Sequence, residues 1–261
     1  MATVNQGQTR ALWHRLRQWH RLRQGIGILV VGLVLIGMGA CSTALPSTSV
    51  GYKSTSLSQD GIGKVFLGRE IARTMGHEGA AWLDRPSRQL QERPQAAIEA
   101  LQLQPTDVVA DIGAGSGYFA IRLASRVSQG RVVAVDVQPE MLDLMGQKLA
   151  DQDLDNVELV LGQTDSPNLQ PNSIDLALMV DAYHEFAYPY EMMQGIVEAL
   201  KPGGRVVLAE YRAENPLIMI KRLHKMSEAQ VKREMAVVGL EWLKTEEILP
   251  EQHLLFFRKP V

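Results

Sequence analysis

The sequence predicts an α/β domain: a mostly parallel sheet covered by helices on both faces. Three observations carry that reading. From Val108 onward, short runs rich in Val, Ile and Leu alternate with segments of helical periodicity. Those runs lack the polar alternation of a half-exposed sheet, as strands buried on both faces do. Two strand-like runs near the carboxyl end are separated by only a short turn, which favours an antiparallel pair and so one antiparallel strand in the sheet.

The elements follow in order. Residues 68–104 are expected to form a helical cap, with a short helix over 68–75 and a second opened by Pro94 at a first-turn position. Strands are expected over 108–112, 131–136, 157–161, 174–180 and 205–209. Helices are expected over 118–128, 139–150 and 191–200, the second carrying Met141, Leu142, Met145 and Leu149 on one stripe. Lys201-Pro202-Gly203-Gly204 cannot continue a helix, and Ser227 is placed to cap the last one. The closing strand pair covers 240–245 and 253–258.

Composition narrows the class. The 261 residues are 46% hydrophobic and 21% charged, with a net charge of −2 and one cysteine. A disordered chain, a collagen-like repeat and a disulfide scaffold are excluded. The near-zero charge is an average of two populations. Residues 1–40 hold five arginines and no acids, while residues 41–261 hold 22 basic and 29 acidic residues. No broadly basic surface is available for nucleic acid, and no nucleic-acid partner is expected.

The amino terminus reads as a signal or an anchor. Arg10, Arg15, Arg17, Arg21 and Arg23 precede an apolar, Gly-rich run from Ile26 to Ala40. Cys41, the single cysteine, follows Gly39 and Ala40 and resembles the cysteine of a bacterial lipobox, with Met38 where leucine is usual. An uncleaved membrane anchor over residues 1–41 is the competing reading. Either one makes the protein membrane-associated, and the arginines orient the downstream chain outward. The Ser- and Thr-rich residues that follow are expected to be a flexible tether over 42–67.

The strongest motif is ADIGAGSGYF (residues 110–119), between an expected strand and helix. Glycine there permits positive φ and close approach of a ligand, and the following helix offers unsatisfied N–H groups. A dinucleotide fingerprint needs glycine at position 118, where this chain has Tyr118. The next strand, VVAVD, ends in Asp136, placed to accept hydrogen bonds from both hydroxyls of a ribose. Two strand ends therefore converge on one crevice.

These pieces resemble the class I S-adenosylmethionine-dependent methyltransferase family over roughly residues 68–260. The matching stretches are ADIGAGSGYF, VVAVDVQPEML, Gly162-Gln163-Thr164-Asp165, NSIDLALMVDAYHEF and LKPGGRVVLAEYR. The resemblance implies a Rossmann-like, doubly wound, seven-stranded sheet, mostly parallel with the last strand antiparallel, in a domain over 105–261. It implies S-adenosyl-L-methionine as cofactor. Asp111 would help hold its amino-acid end, and Gly113, Gly115 and Gly117 would allow its close approach. Asp136 would take the ribose, Thr164 and Asp165 would lie near the adenine, and Asp181 would border methionine moiety and substrate. The branch resembled contains quinone methyltransferases, so a small, lipophilic acceptor is expected.

A sulfonium methyl is already activated, so the remaining tasks are alignment, exclusion of water and sometimes proton removal. His184 is the candidate general base. His77, Glu78 and Trp82 are candidates for a lid, and Arg85, Arg88 and Arg93 for contact with an acidic substrate or, in preference, for an exposed basic helix face. Tyr183, Tyr188 and Tyr190 are candidates for an aromatic pocket. No metal site is expected, because the six histidines show no ligand spacing. A non-catalytic nucleoside-binding module and a nicotinamide-dependent oxidoreductase remain as other classes, the latter disfavoured by Tyr118.

Overall fold

The computed structural model describes residues 50–261. The signal or anchor expected over 1–41 lies outside the described residues. Within them no helix is long and apolar enough to cross a membrane.

Residues 53–72 form a small antiparallel sheet: β1 (Lys53–Ser54), β2 (Gly61–Phe66) and β3 (Arg69–Ala72), in that order. This corrects two expectations within the described residues: the tether expected over 42–67, whose residues 42–49 lie outside them, and the helix over 68–75. The cause is a two-residue hairpin: Phe66 pairs with Arg69, and both Leu67 (φ 45°) and Gly68 (φ 90°) are left-handed. That is the turn whose twist matches the flanking strands. Burial then fixes the register, with Phe66, Ile71 and Ala72 wholly buried. Tyr52 packs against Phe66 and Tyr188 and donates its hydroxyl to Glu191, so the Ser-rich stretch is tied to the main domain. The cap that follows consists of short helices, α1 (Ala80–Leu83), α2 (Arg88–Gln91) and α3 (Pro94–Ala100).

The core is the expected doubly wound sheet. Its strands are β4 (Val108–Ile112), β5 (Arg131–Asp136), β6 (Val157–Leu161), β7 (Ile174–Val180), β8 (Leu200–Tyr211), β9 (Glu241–Glu246) and β10 (Gln252–Arg258). They lie in the order β6-β5-β4-β7-β8-β10-β9. The first five pair in parallel, while β10 runs antiparallel to both β8 and β9. Only the last strand in sequence is reversed, as expected. Lys201-Pro202-Gly203-Gly204 does end the preceding helix, but the chain enters β8 at once instead of turning first.

Four helices cover the sheet: α4 (Tyr118–Ala124), α5 (Pro139–Asp151), α6 (Pro189–Ala199) and α7 (Glu228–Ala236). Alternation along β4 shows the two layers. Val109 joins a cluster with α3, α4 and α5, whereas Ala110 and Ile112 join one with α6 and α7. Ser227 caps α7 by accepting from the Gln230 amide at 3.2 Å. The strand order reverses between β4 and β7, so a crevice opens at the carboxyl ends of β4, β5 and β7.

Candidate functional site

A cavity of about 580 Å³ occupies that crevice. Its floor is the glycine loop after β4. Gly113 and Gly115 line it with φ of 73° and 53°, a region that L side chains rarely occupy. A side chain at Gly113 would bring its Cβ to 2.7 Å from the Cβ of Ala182, and one at Gly115 to 2.6 Å from Leu83 Cδ1. The loop is held down by its neighbour strand, because the Gly113 and Ala114 amides donate to the Val135 carbonyl at 2.8 and 3.0 Å.

Asp136 closes one side. Its carboxylate accepts the Gly115 amide at 2.8 Å and the Gln138 amide at 2.9 Å, one on each oxygen. Burial raises its pKa above the usual carboxylate range, against those two bonds. A carboxylate has about four lone-pair positions, so two remain for a ligand hydroxyl. Asp181, at the end of β7, closes the opposite side. It sits at φ 49°; Oδ2 accepts from Gln252 at 2.7 Å, and the buried Oδ1 has no partner. Burial raises its pKa, and the nearby Glu92 and Glu210 push the same way.

The other expected cofactor residues divide. Thr164 lines the cavity, but Asp165 is the exposed corner of the turn Gln163–Ser166 and does not. Gly117 is not a lining residue either. A Cβ there would strike Met145, so this glycine lets α4 and α5 pack closely. Asp111 is buried and also absent from the lining; its Oδ2 has no partner, and burial pushes its pKa up to about 7. None of these three lines the cavity.

His184 is brought to the cavity wall but is wholly enclosed. Nδ1 contacts Glu210 Oε2 at 2.6 Å and Nε2 contacts His224 Nδ1 at 3.1 Å. Burial pushes the pKa of His184 down to about 3 and that of Glu210 up to about 8. Nδ1 is held by Glu210 and Nε2 faces His224 and Glu185 instead of the open space, so the geometry does not present His184 to an acceptor as a free base.

Of the candidate lid, Trp82 lines the cavity, whereas His77 and Glu78 do not. The expected basic face is not one. Arg88 is buried against Glu92 at 2.6 Å, and Arg85 stacks on Trp82 while pairing with the same carboxylate. Tyr183, Tyr188 and Tyr190 lie outside the lining, and Tyr183 is a core residue donating to Glu234 at 2.7 Å.

Several contacts at the site join residues that no local pattern pairs. Met75 and Gln138 meet across the cavity edge, with Gln138 Nε2 donating to the Met75 carbonyl at 3.0 Å. Glu185 Oε2 accepts the Met75 amide at 3.1 Å. His224 arrives from the loop after β8. Arg69 anchors this corner: it pairs with Glu234 through two bonds of 2.8 Å and donates to the His184 carbonyl at 3.0 Å.

The arrangement suits a nucleoside: a glycine loop, a carboxylate at the end of the adjacent strand, and one unpartnered buried acceptor, Asp181 Oδ1, line the same crevice. Residues 103–252 match the family model described as a methyltransferase domain, and the chain belongs to that family. It is 29% identical over 140 residues to a methyltransferase-like protein of Schizosaccharomyces pombe, covering 54% of this chain and 52% of that one. It is 35% identical over 122 residues to the demethylmenaquinone methyltransferase of Deinococcus radiodurans, covering 46% and 48%. The chain thus spans about half the length of these curated relatives. In fold it is similar to a SAM-dependent methyltransferase from Aquifex aeolicus, with a TM-score of 0.68 at 22% identity over 71% of this chain and 100% of that one.

The residues present fit S-adenosylmethionine. The two glycines provide a cradle that a Cβ would fill, and Asp136 retains acceptor capacity for a ribose. Asp181 Oδ1 is a buried acceptor without a partner on the cavity wall.

Proposed function

We propose that this chain is an S-adenosylmethionine-dependent methyltransferase acting on a small, lipophilic acceptor at a membrane. The single observation that carries methyl transfer is the joint placement of Gly113, Gly115, Asp136 and Asp181 around one cavity. In that reading Asp136 holds the ribose, Asp181 faces the methionine end and Thr164 lies beside the adenine. The bound cofactor supplies an activated methyl group. The chain's part is to bind it, fix its orientation and keep water out, with Trp82, Leu83 and Met75 as the outer wall.

The acceptor class rests on the loop after β8. Met219 and Ile220 line the cavity, and the same loop exposes Leu217 (82%) and Met219 (94%) beside Lys221 and Arg222. Apolar side chains next to cations suit a lipid–water boundary. The arginine-rich, apolar amino terminus supports the same location, as a cleaved lipoprotein signal ending at Cys41 or as an uncleaved anchor. The test is release of S-adenosylhomocysteine by the full chain on vesicles carrying an isoprenoid hydroquinone, against the water-soluble headgroup alone. Turnover should favour the vesicle-borne acceptor at least tenfold. Equal turnover on the soluble headgroup would remove the lipophilic assignment.

A further inference from the structure

One side-chain cluster on the cavity wall is not used by cofactor binding. His184 Nε2, His224 Nδ1 and Glu185 Oε1 face one another at 3.1 Å between the two imidazoles, 3.3 Å from His224 to Glu185 and 3.8 Å from His184 to Glu185. A triangle with those sides has a circumradius of about 2.0 Å, so one point lies a metal–nitrogen or metal–oxygen bond length from all three donors. We propose that His184, Glu185 and His224 form a binding site for one divalent first-row transition-metal ion, open toward the cavity.

The surroundings match what such a site requires. A ligating histidine is normally oriented by a carboxylate on its other nitrogen, and Glu210 Oε2 lies 2.6 Å from His184 Nδ1, with both side chains buried. That contact directs Nε2, the remaining ring nitrogen, at His224. The charges gathered here are also lopsided. Arg69 is already paired with Glu234, and neither Glu185 nor Glu210 has a lysine or arginine at salt-bridge distance among the described residues, so the cluster lacks a cation of its own. Three protein ligands leave at least one coordination position for a ligand from the cavity, and all three residues line it. An acceptor carrying a hydroxyl or phenolic oxygen is the class that position would take.

A second group, Glu228, Glu247 and His253, also brings three donors together, but it fits less well. It offers a single imidazole, that of His253, against two in the first group, and its carboxylates lie on an exposed loop and a helix end away from the cavity. It serves as the internal control.

The test is metal binding by the full chain, stripped with chelator and then titrated with Co²⁺ followed by visible absorption, and with Zn²⁺ by calorimetry. One ion per chain is expected, with a Co²⁺ spectrum of mixed nitrogen and oxygen ligation. His224→Ala and Glu185→Gln should each weaken binding at least tenfold and alter that spectrum, while His253→Gln leaves both unchanged. If His224→Ala does not fold, as judged by circular dichroism, Glu185→Gln carries the test. Absence of binding below millimolar metal, equal binding in wild type and both site variants, or loss in His253→Gln would each overturn the proposal. No cofactor is present in the titration, so its failure leaves methyl transfer standing, and failed cofactor binding leaves the metal result standing.

Discussion

Asp136 Oδ2 accepts the Gly115 amide at 2.8 Å, so the carboxylate expected to hold a ribose also holds the glycine loop. The two roles are coupled through one side chain. Asp136→Ala removes a charged acceptor from two backbone amides, those of Gly115 and Gln138. Leaving such donors unsatisfied costs about 1–3 kcal/mol. The variant should lose S-adenosylmethionine affinity at least tenfold and also unfold at lower temperature. Calorimetry and a thermal melt check both; unchanged affinity would remove the ribose assignment.

Gly113→Ala tests the cradle. The residue sits at φ 73°, and the new Cβ would lie 2.7 Å from that of Ala182. Left-handed backbone at a non-glycine residue costs about 1–2 kcal/mol before that clash is relieved. Relief must push Ala182 and the adjoining Asp181 outward. A tenfold or greater fall in cofactor affinity is expected, measured by titration under conditions where the variant remains folded.

Asp111 sets a pH dependence of stability. Burial raises its pKa from 3.8 to about 7. Between those values the folded state holds a proton that the unfolded state has released. Its contribution is therefore complete below about pH 4, shrinks as pH rises and is gone above about pH 7. A shift of that size corresponds to a few kcal/mol. Glu210, raised to about 8, acts in the same direction. Denaturant midpoints should fall from pH 5 to pH 8, and Asp111→Asn should flatten part of that slope.

Arg69→Ala tests how the amino-terminal sheet holds the site. The variant leaves Glu234 wholly buried without its guanidinium, and breaking a buried pair from one side costs about 3–5 kcal/mol. It also frees the His184 carbonyl. Urea unfolding should show a large loss, and Arg69→Ala with Glu234→Ala should be no worse than Arg69→Ala alone.

The core of the fold was legible because it is written locally. Buried parallel strands appear as uninterrupted Val, Ile and Leu runs, and the short link between β9 and β10 announced the reversed strand. The small sheet over 53–72 was not legible. Its Ser- and Thr-rich lead resembles a tether, and Gly68 reads equally as a helix start or a hairpin turn. Only burial of Phe66 and Ile71 decides it.

The site divides along the same line. Gly113, Gly115, Asp136 and Asp181 stand at strand ends, where topology alone brings them together. Asp111, Gly117 and Asp165 occupy motif positions too, but point to packing or to solvent. The pairs His184–His224 and Arg69–Glu234 are separated by 40 and 165 residues, and no local pattern joins them. His184 illustrates the cost of reading a residue without its neighbours. Its position suggested a base, but Glu210 holds Nδ1 and Nε2 faces His224 and Glu185.

The central claim is that the crevice between β4, β5 and β7 is a cofactor site for S-adenosylmethionine. Titration calorimetry of the full chain against S-adenosylmethionine, with NAD in parallel, tests it most directly. The account predicts saturable binding of one S-adenosylmethionine per chain and no binding of NAD. Binding of NAD without S-adenosylmethionine would contradict it.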